Sequence, residues 1–130
     1  MPWRKALVVW LAIILAESVH GTLRTLYLAP LLGDASARRL GVLVGSVLIV
    51  AIALAFARWL GDLPRRQLFA IGALWVVLTV VFEIVLGRAV LHASWERILS
   101  DYDVTQGGLM VFGLLVLWCS PWLAHRLRFR

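Results

Sequence analysis

The sequence predicts an all-α polytopic membrane protein, with four transmembrane helices in an antiparallel bundle. Three observations carry that prediction. The 130 residues are 62% hydrophobic and have a mean hydropathy of +0.91. A soluble domain of this length cannot hide that much apolar surface, whereas a bilayer can. Charged residues make up 15% of the chain and are clustered, which leaves long uncharged windows. Most of the Lys and Arg behind the net charge of +6 flank those windows, as the positive-inside bias requires. That placement argues against nucleic acid as a partner and for the lipid bilayer. One cysteine, Cys119, excludes an internal disulfide; its apolar neighbours make it a small packing residue.

The first helix is expected over about 3–31. Met1-Pro2-Trp3-Arg4-Lys5 followed by Ala6 to Ala16 has the outline of a signal peptide with a cleavage point after Ala16. We read it as a retained first span. Dropped into its apolar run is Glu17-Ser18-Val19-His20-Gly21-Thr22-Leu23-Arg24. Glu17, His20, Gly21 and Arg24 fall at i, i+3, i+4 and i+7, one face of a helix. Charge at this depth is costly and should find partners elsewhere in the chain. Pro30 and Gly33-Asp34 end the helix, and a loop is expected from Gly33 to Arg39.

The second helix, about 40–59, has no charge before Arg58. Gly41 and Gly45 form a small-xxx-small pair that favours close helix approach, within or between chains. Arg58 and Trp59 anchor its end. Gly61-Asp62-Leu63-Pro64-Arg65-Arg66 reads as a tight turn. The third helix, about 67–90, carries a stripe of Gly72, Trp75, Thr79, Glu83 and Gly87 at helical spacing, which turns Glu83 inward. A short amphipathic interfacial helix is expected at about 94–102, capped by Ser94, with Trp95, Ile98, Leu99 and Tyr102 on one face. The fourth helix, about 104–124, starts near Gln106. Pro121 kinks or ends it before the basic tail His125 to Arg130. No boundary divides the chain, so residues 1–130 form one transmembrane domain.

Four spans put both termini on one side. That side holds Arg4, Lys5, Arg58, Arg65, Arg66, Arg126, Arg128 and Arg130; the other holds Arg24, Arg38, Arg39, Arg88 and Arg97. The bias orients both termini to the cytoplasm. Measured from Ala6, His20 is about 21 Å deep and Arg24 about 27 Å; measured from Leu68, Glu83 is about 22 Å deep. On that reckoning Glu83 pairs with Arg24, and Arg88 and Gln106 close the site from the outer side. The expected site is therefore a buried polar cluster of Glu17, His20, Arg24, Glu83, Arg88 and Gln106.

Four functions suit such a cluster. One is a pocket for a small polar or anionic ligand, a solute or a lipid headgroup. A second is proton-coupled export of small solutes through Glu17. The run Ile14-Leu15-Ala16-Glu17 is similar to the first helix of small multidrug resistance transporters over those few residues, but the extra charges and long outer connection here depart from that pattern. A third is a metal site, since Glu17-x-x-His20 is half of a di-iron carboxylate pattern. The other half fails, because Leu86 stands where a second His is needed, and no metal, haem or other cofactor is assigned. The fourth is a non-catalytic accessory or assembly subunit, a homo-oligomer or part of a larger complex, with the cluster as a structural polar lock. No nucleophile with a base, P-loop or dinucleotide fingerprint is present, so the chain does not read as an enzyme.

One wider resemblance spans most of the chain. The pattern Glu17-x-x-His20-Gly21-x-x-Arg24, Gly33-Asp34, Gly45-Ser46, Phe82-Glu83-x-x-x-Gly87-Arg88, Ser94-Trp95-x-Arg97, Asp101-Tyr102 and Gly107-Gly108-Leu109-Met110 resembles a family of small bacterial four-helix inner-membrane proteins. The resemblance implies a bacterial inner-membrane setting and assigns no activity.

Overall fold

A computed structural model describes residues 2–90, 94–96 and 110–129. These are all-α. Helix α1 spans Trp3–Leu23 and passes through a π-helical turn, Arg24–Leu28, into the short α2, Ala29–Leu32. Helix α3 is Asp34–Leu60, and α4 is Arg65–Val85, followed by a second π-helical turn, Leu86–Val90. Helix α5 is Met110–Arg128. Three stretches, Trp3–Leu23, Arg39–Leu60 and Arg65–Val85, are long and apolar enough to cross a membrane.

Proline and glycine explain the breaks. Pro30 has no N–H to give and its ring crowds the carbonyl four residues back, so the widened π turn sits directly upstream of it. Gly33, at φ 86°, is the single residue between α2 and α3. Only glycine adopts that conformation without strain. Gly61, at φ 102°, ends α3 and donates its N–H to Ala57 O at 3.1 Å. The Pro64 carbonyl opens α4 by accepting from Gln67 N at 2.9 Å and Leu68 N at 3.1 Å.

One expectation needs correction and another is narrowed. The loop expected over Gly33 to Arg39 is helical from Asp34 onward; Ala35, Ala37, Arg38 and Arg39 are good helix formers, and Gly33 alone makes the turn. Of the two alternatives at Pro121, a kink or an end, the end is excluded, since α5 runs on to Arg128. The missing N–H of Pro121 orphans the Leu117 carbonyl, and the buried Ser120 hydroxyl takes its place, donating to Leu117 O at 2.7 Å.

The core joins all four long helices at the end that carries both termini. Ala6, Val9 and Ile13 of α1 pack with Ile49 and Leu60 of α3, Ile71 and Trp75 of α4, and Leu117 of α5. Ala53, Ala57 and Ala124 form a second, smaller contact between α3 and α5. Trp75 is fully buried, and its indole N–H donates to Ala6 O at 2.9 Å. Trp10 donates likewise to Thr79 Oγ1 at 3.0 Å and meets Phe82 edge to face. Gly72, Trp75 and Thr79 of the expected inward stripe are thus buried.

These contacts set a register that depth arithmetic misjudges. Ala6 comes level with Trp75 rather than with Leu68, a shift of about 10 Å. The first two turns of α4 belong to α5 instead. There the backbones approach so closely that a Cβ on Gly72 would stand 2.1 Å from Trp118 O. The Phe69 ring packs on Trp118 and Trp122.

Candidate functional site

The polar face of α1 lies on the glycines of α3. A Cβ added to Gly45 would be 2.9 Å from Glu17 Oε2 and 3.4 Å from Oε1. One added to Gly41 would be 2.9 Å from Arg24 Cδ, 3.0 Å from Arg24 Nη1 and 3.7 Å from His20 Cε1. The small-xxx-small pair is therefore used within this chain. It lets three polar side chains lie flat on bare backbone where any larger residue would push them out.

Glu17 is the centre of the arrangement. Its Oε1 is buried and, among the described residues, has no hydrogen-bond partner. Glu83 and Arg24 are its charged neighbours, and Arg24 and His20 share the seat on Gly41. The register puts Glu83 about level with Ile14, roughly 15 Å below Arg24 along the axis and one turn below Glu17. The expected Arg24–Glu83 pair is thereby replaced by a Glu17–Arg24 relation, with Glu83 approaching from beneath.

The cluster borders the core and does not lie inside it. Glu17, His20, Arg24 and Glu83 are half-buried and Arg88 is exposed, so the expectation of a buried charged cluster is not met. The physical reason is the position of the core, whose uppermost members on α1 and α4 are Ile14 and Thr79. Glu17, His20 and Arg24 lie beyond Ile14 of α1, and Glu83 and Arg88 lie beyond Thr79 of α4. Arg88 is held separately, its guanidinium over the Trp95 ring at 4.8 Å. Gln106 and most of the expected interfacial segment lie outside the described residues.

Two arginines in the half remote from the termini occupy π-helical turns, Arg24 at the start of one and Arg88 within the other. Such turns widen the helix, re-aim side chains and recur at functional sites. Among the described residues no three His, Cys, Asp or Glu side chains come together in a way that could hold a metal ion.

Two cavities lie elsewhere. An apolar groove of about 680 Å³ runs between α3 and α5, lined by residues that include Leu43, Val50, Leu115 and Cys119. A smaller one, about 450 Å³, opens at the end that carries the termini, between the start of α4 and the end of α5. None of Glu17, His20, Arg24, Glu83 or Arg88 lines either of them.

Sequence reasoning missed the seat on α3. A signal for part of it was present: Arg24 lies nine residues before Gly33 and Gly41 eight after, so a hairpin pivoting at Gly33 brings them together. No protein-family profile, curated protein or solved structure matches the chain.

Proposed function

We propose that this chain is a four-span antiparallel bundle in a bacterial inner membrane, both termini cytoplasmic, that binds or transports a small polar solute or lipid headgroup at Glu17, His20 and Arg24. One observation carries this reading: Glu17 Oε1, held on Gly45, is buried without a hydrogen-bond partner among the described residues. A structural polar lock would satisfy its own lone pairs, because an unmet buried acceptor costs about 1–3 kcal/mol. A ligand carrying a donor, an ammonium or hydroxyl group, would satisfy this one, and Arg24 beside it suits an anionic group on the same molecule.

The bundle reading draws support from the order of contacts. Lys5 Nζ reaches Trp59 O at 3.1 Å and Glu17 lies on Gly45, so the start of α1 meets the end of α3. The apolar length of α5 and the Trp122, His125, Arg126 and Arg128 of its last turns support reading it as the fourth span.

A thermal-shift screen in detergent tests the function with ammonium-bearing, polyol and anionic solutes. A solute that raises the Tm of the wild type but not of Glu17→Gln or Arg24→Ala supports the site. If no class does so, the site reading fails. The accessory-subunit reading draws on the apolar groove between α3 and α5. Co-purification with a larger complex, abolished when Val50→Trp fills that groove, would favour it.

A further inference from the structure

We infer that the cavity between the start of α4 and the end of α5 is a binding site for the phosphate group of an anionic ligand, taken from a phospholipid headgroup. It is separate from the Glu17 cluster, at the opposite end of the helices. It is lined by Leu63, Leu68, Trp122 and Phe129 together with Arg65, His125 and Arg126. At about 450 Å³ it falls in the range of roughly 300–1,000 Å³ usual for small-ligand sites.

The charges at this cavity are not balanced from within. The nearest acid, Asp62, is engaged by His125, with Nε2 to Oδ1 at 2.6 Å. The His125 ring is fixed further by stacking on Phe129 at 4.7 Å. Arg126 lies over the Trp122 ring at 5.5 Å. Among the described residues neither Arg65 nor Arg126 has a hydrogen-bond or ion-pair partner, and both line this cavity with exposed side chains. A phosphate bridging them supplies the missing anion and matches their planar donor geometry.

A lipid source follows from the aromatic lining. On the four-span reading, on which this inference rests, Trp122 in the last turns of α5 and Phe129 just beyond it fall at the basic interfacial end, near the glycerol and first acyl carbons of a phospholipid. Basic pockets between membrane helices are suited to headgroups of this class. Free phosphate would use the two arginines and leave the aromatic lining uncovered.

The test uses full-length protein in an uncharged detergent, titrated with short-chain phosphatidylglycerol, short-chain phosphatidylcholine or inorganic phosphate, and read by thermal shift. Phosphatidylglycerol should raise Tm more than phosphatidylcholine at equal concentration. Its apparent affinity should fall about tenfold for each of Arg65→Gln and Arg126→Gln. Arg4→Gln/Arg58→Gln removes two charges from the same end but outside the cavity, and should leave the response intact. Equal shifts with inorganic phosphate support the site and assign it to free phosphate. Equal loss in the Arg4/Arg58 variant, or equal response to phosphatidylcholine, overturns the inference, since diffuse charge or mere lipid binding then explains the effect. Each variant is compared with its own unliganded Tm, so a change in basal stability does not obscure the result.

Discussion

At the scale of single residues, the glycines of this chain do different physical work. Gly72 faces backbone, with a built Cβ only 2.1 Å from Trp118 O, and neither helix can yield without moving as a body. Gly41 faces the flexible end of Arg24, which can step aside. Gly72→Ala should therefore cost about 1–3 kcal/mol. Gly41→Ala should be close to neutral, because Ala is about 1 kcal/mol better than Gly inside a helix. Thermal unfolding of the two variants in detergent distinguishes them. The register makes a second residue-scale prediction. Glu83→Gln and Arg24→Gln should be additive in stability, whereas Glu17→Gln and Arg24→Gln should show a coupling of about 0.5 kcal/mol or more in a double-mutant cycle. A coupling between Glu83 and Arg24 would mean that α1 and α4 are aligned as simple depth counting has them. Much of the site was legible at this scale: the spacing of Glu17, His20 and Arg24 announces one polar face. What spacing cannot give is the axial offset between helices, which Trp75 and Ala6 decide through one buried hydrogen bond.

Elements show how local chemistry overrides a simple rule. Proline inside a helix normally costs about 3 kcal/mol or more, and α5 carries Pro121 in its interior. The preceding serine offsets part of that cost by occupying the orphaned Leu117 carbonyl. Ser120→Ala should destabilise by about 1–3 kcal/mol, the cost of an unsatisfied buried acceptor, and should steepen any bend at Pro121; amide exchange at the end of α5 reads both. Ser120→Ala with no effect would mean that the Leu117 carbonyl is satisfied by other means. Helix identity and approximate extent were readable from apolar windows and from Pro and Gly punctuation. The extension of α3 back to Asp34 was not, because a short stretch of alanines and arginines looks like a loop by charge and like a helix by propensity. Propensity prevails once a single glycine can make the turn.

For the whole molecule, the division between an apolar core and a charged upper half sets the expectations. The core residues cluster at the end with the termini, so substitutions there should control folding and those at Glu17, His20 and Arg24 should control ligand response. Trp75→Ala should cost about 3–5 kcal/mol, measured as loss of folded protein after detergent extraction. By contrast Asp62→Asn, which removes a pair whose acid is 74% exposed, should change stability by less than about 1 kcal/mol. Composition alone made the membrane class legible, since no packing arrangement of 130 residues hides so apolar a chain.

The seat of Glu17 on Gly45 has a consequence for descent. The glycine is needed there only because a carboxylate rests on it, so the two positions should change together. A sequence that trades Glu17 for a short side chain is released from the size limit at position 45. One that enlarges position 45 first must lose the carboxylate or displace it. Gly45→Ala should therefore displace the Glu17 side chain, at little cost in stability but with loss of ligand response, and should have no such effect in a chain that also carries Glu17→Ala. Competition between the single and double variants would display that dependence as epistasis between two helices.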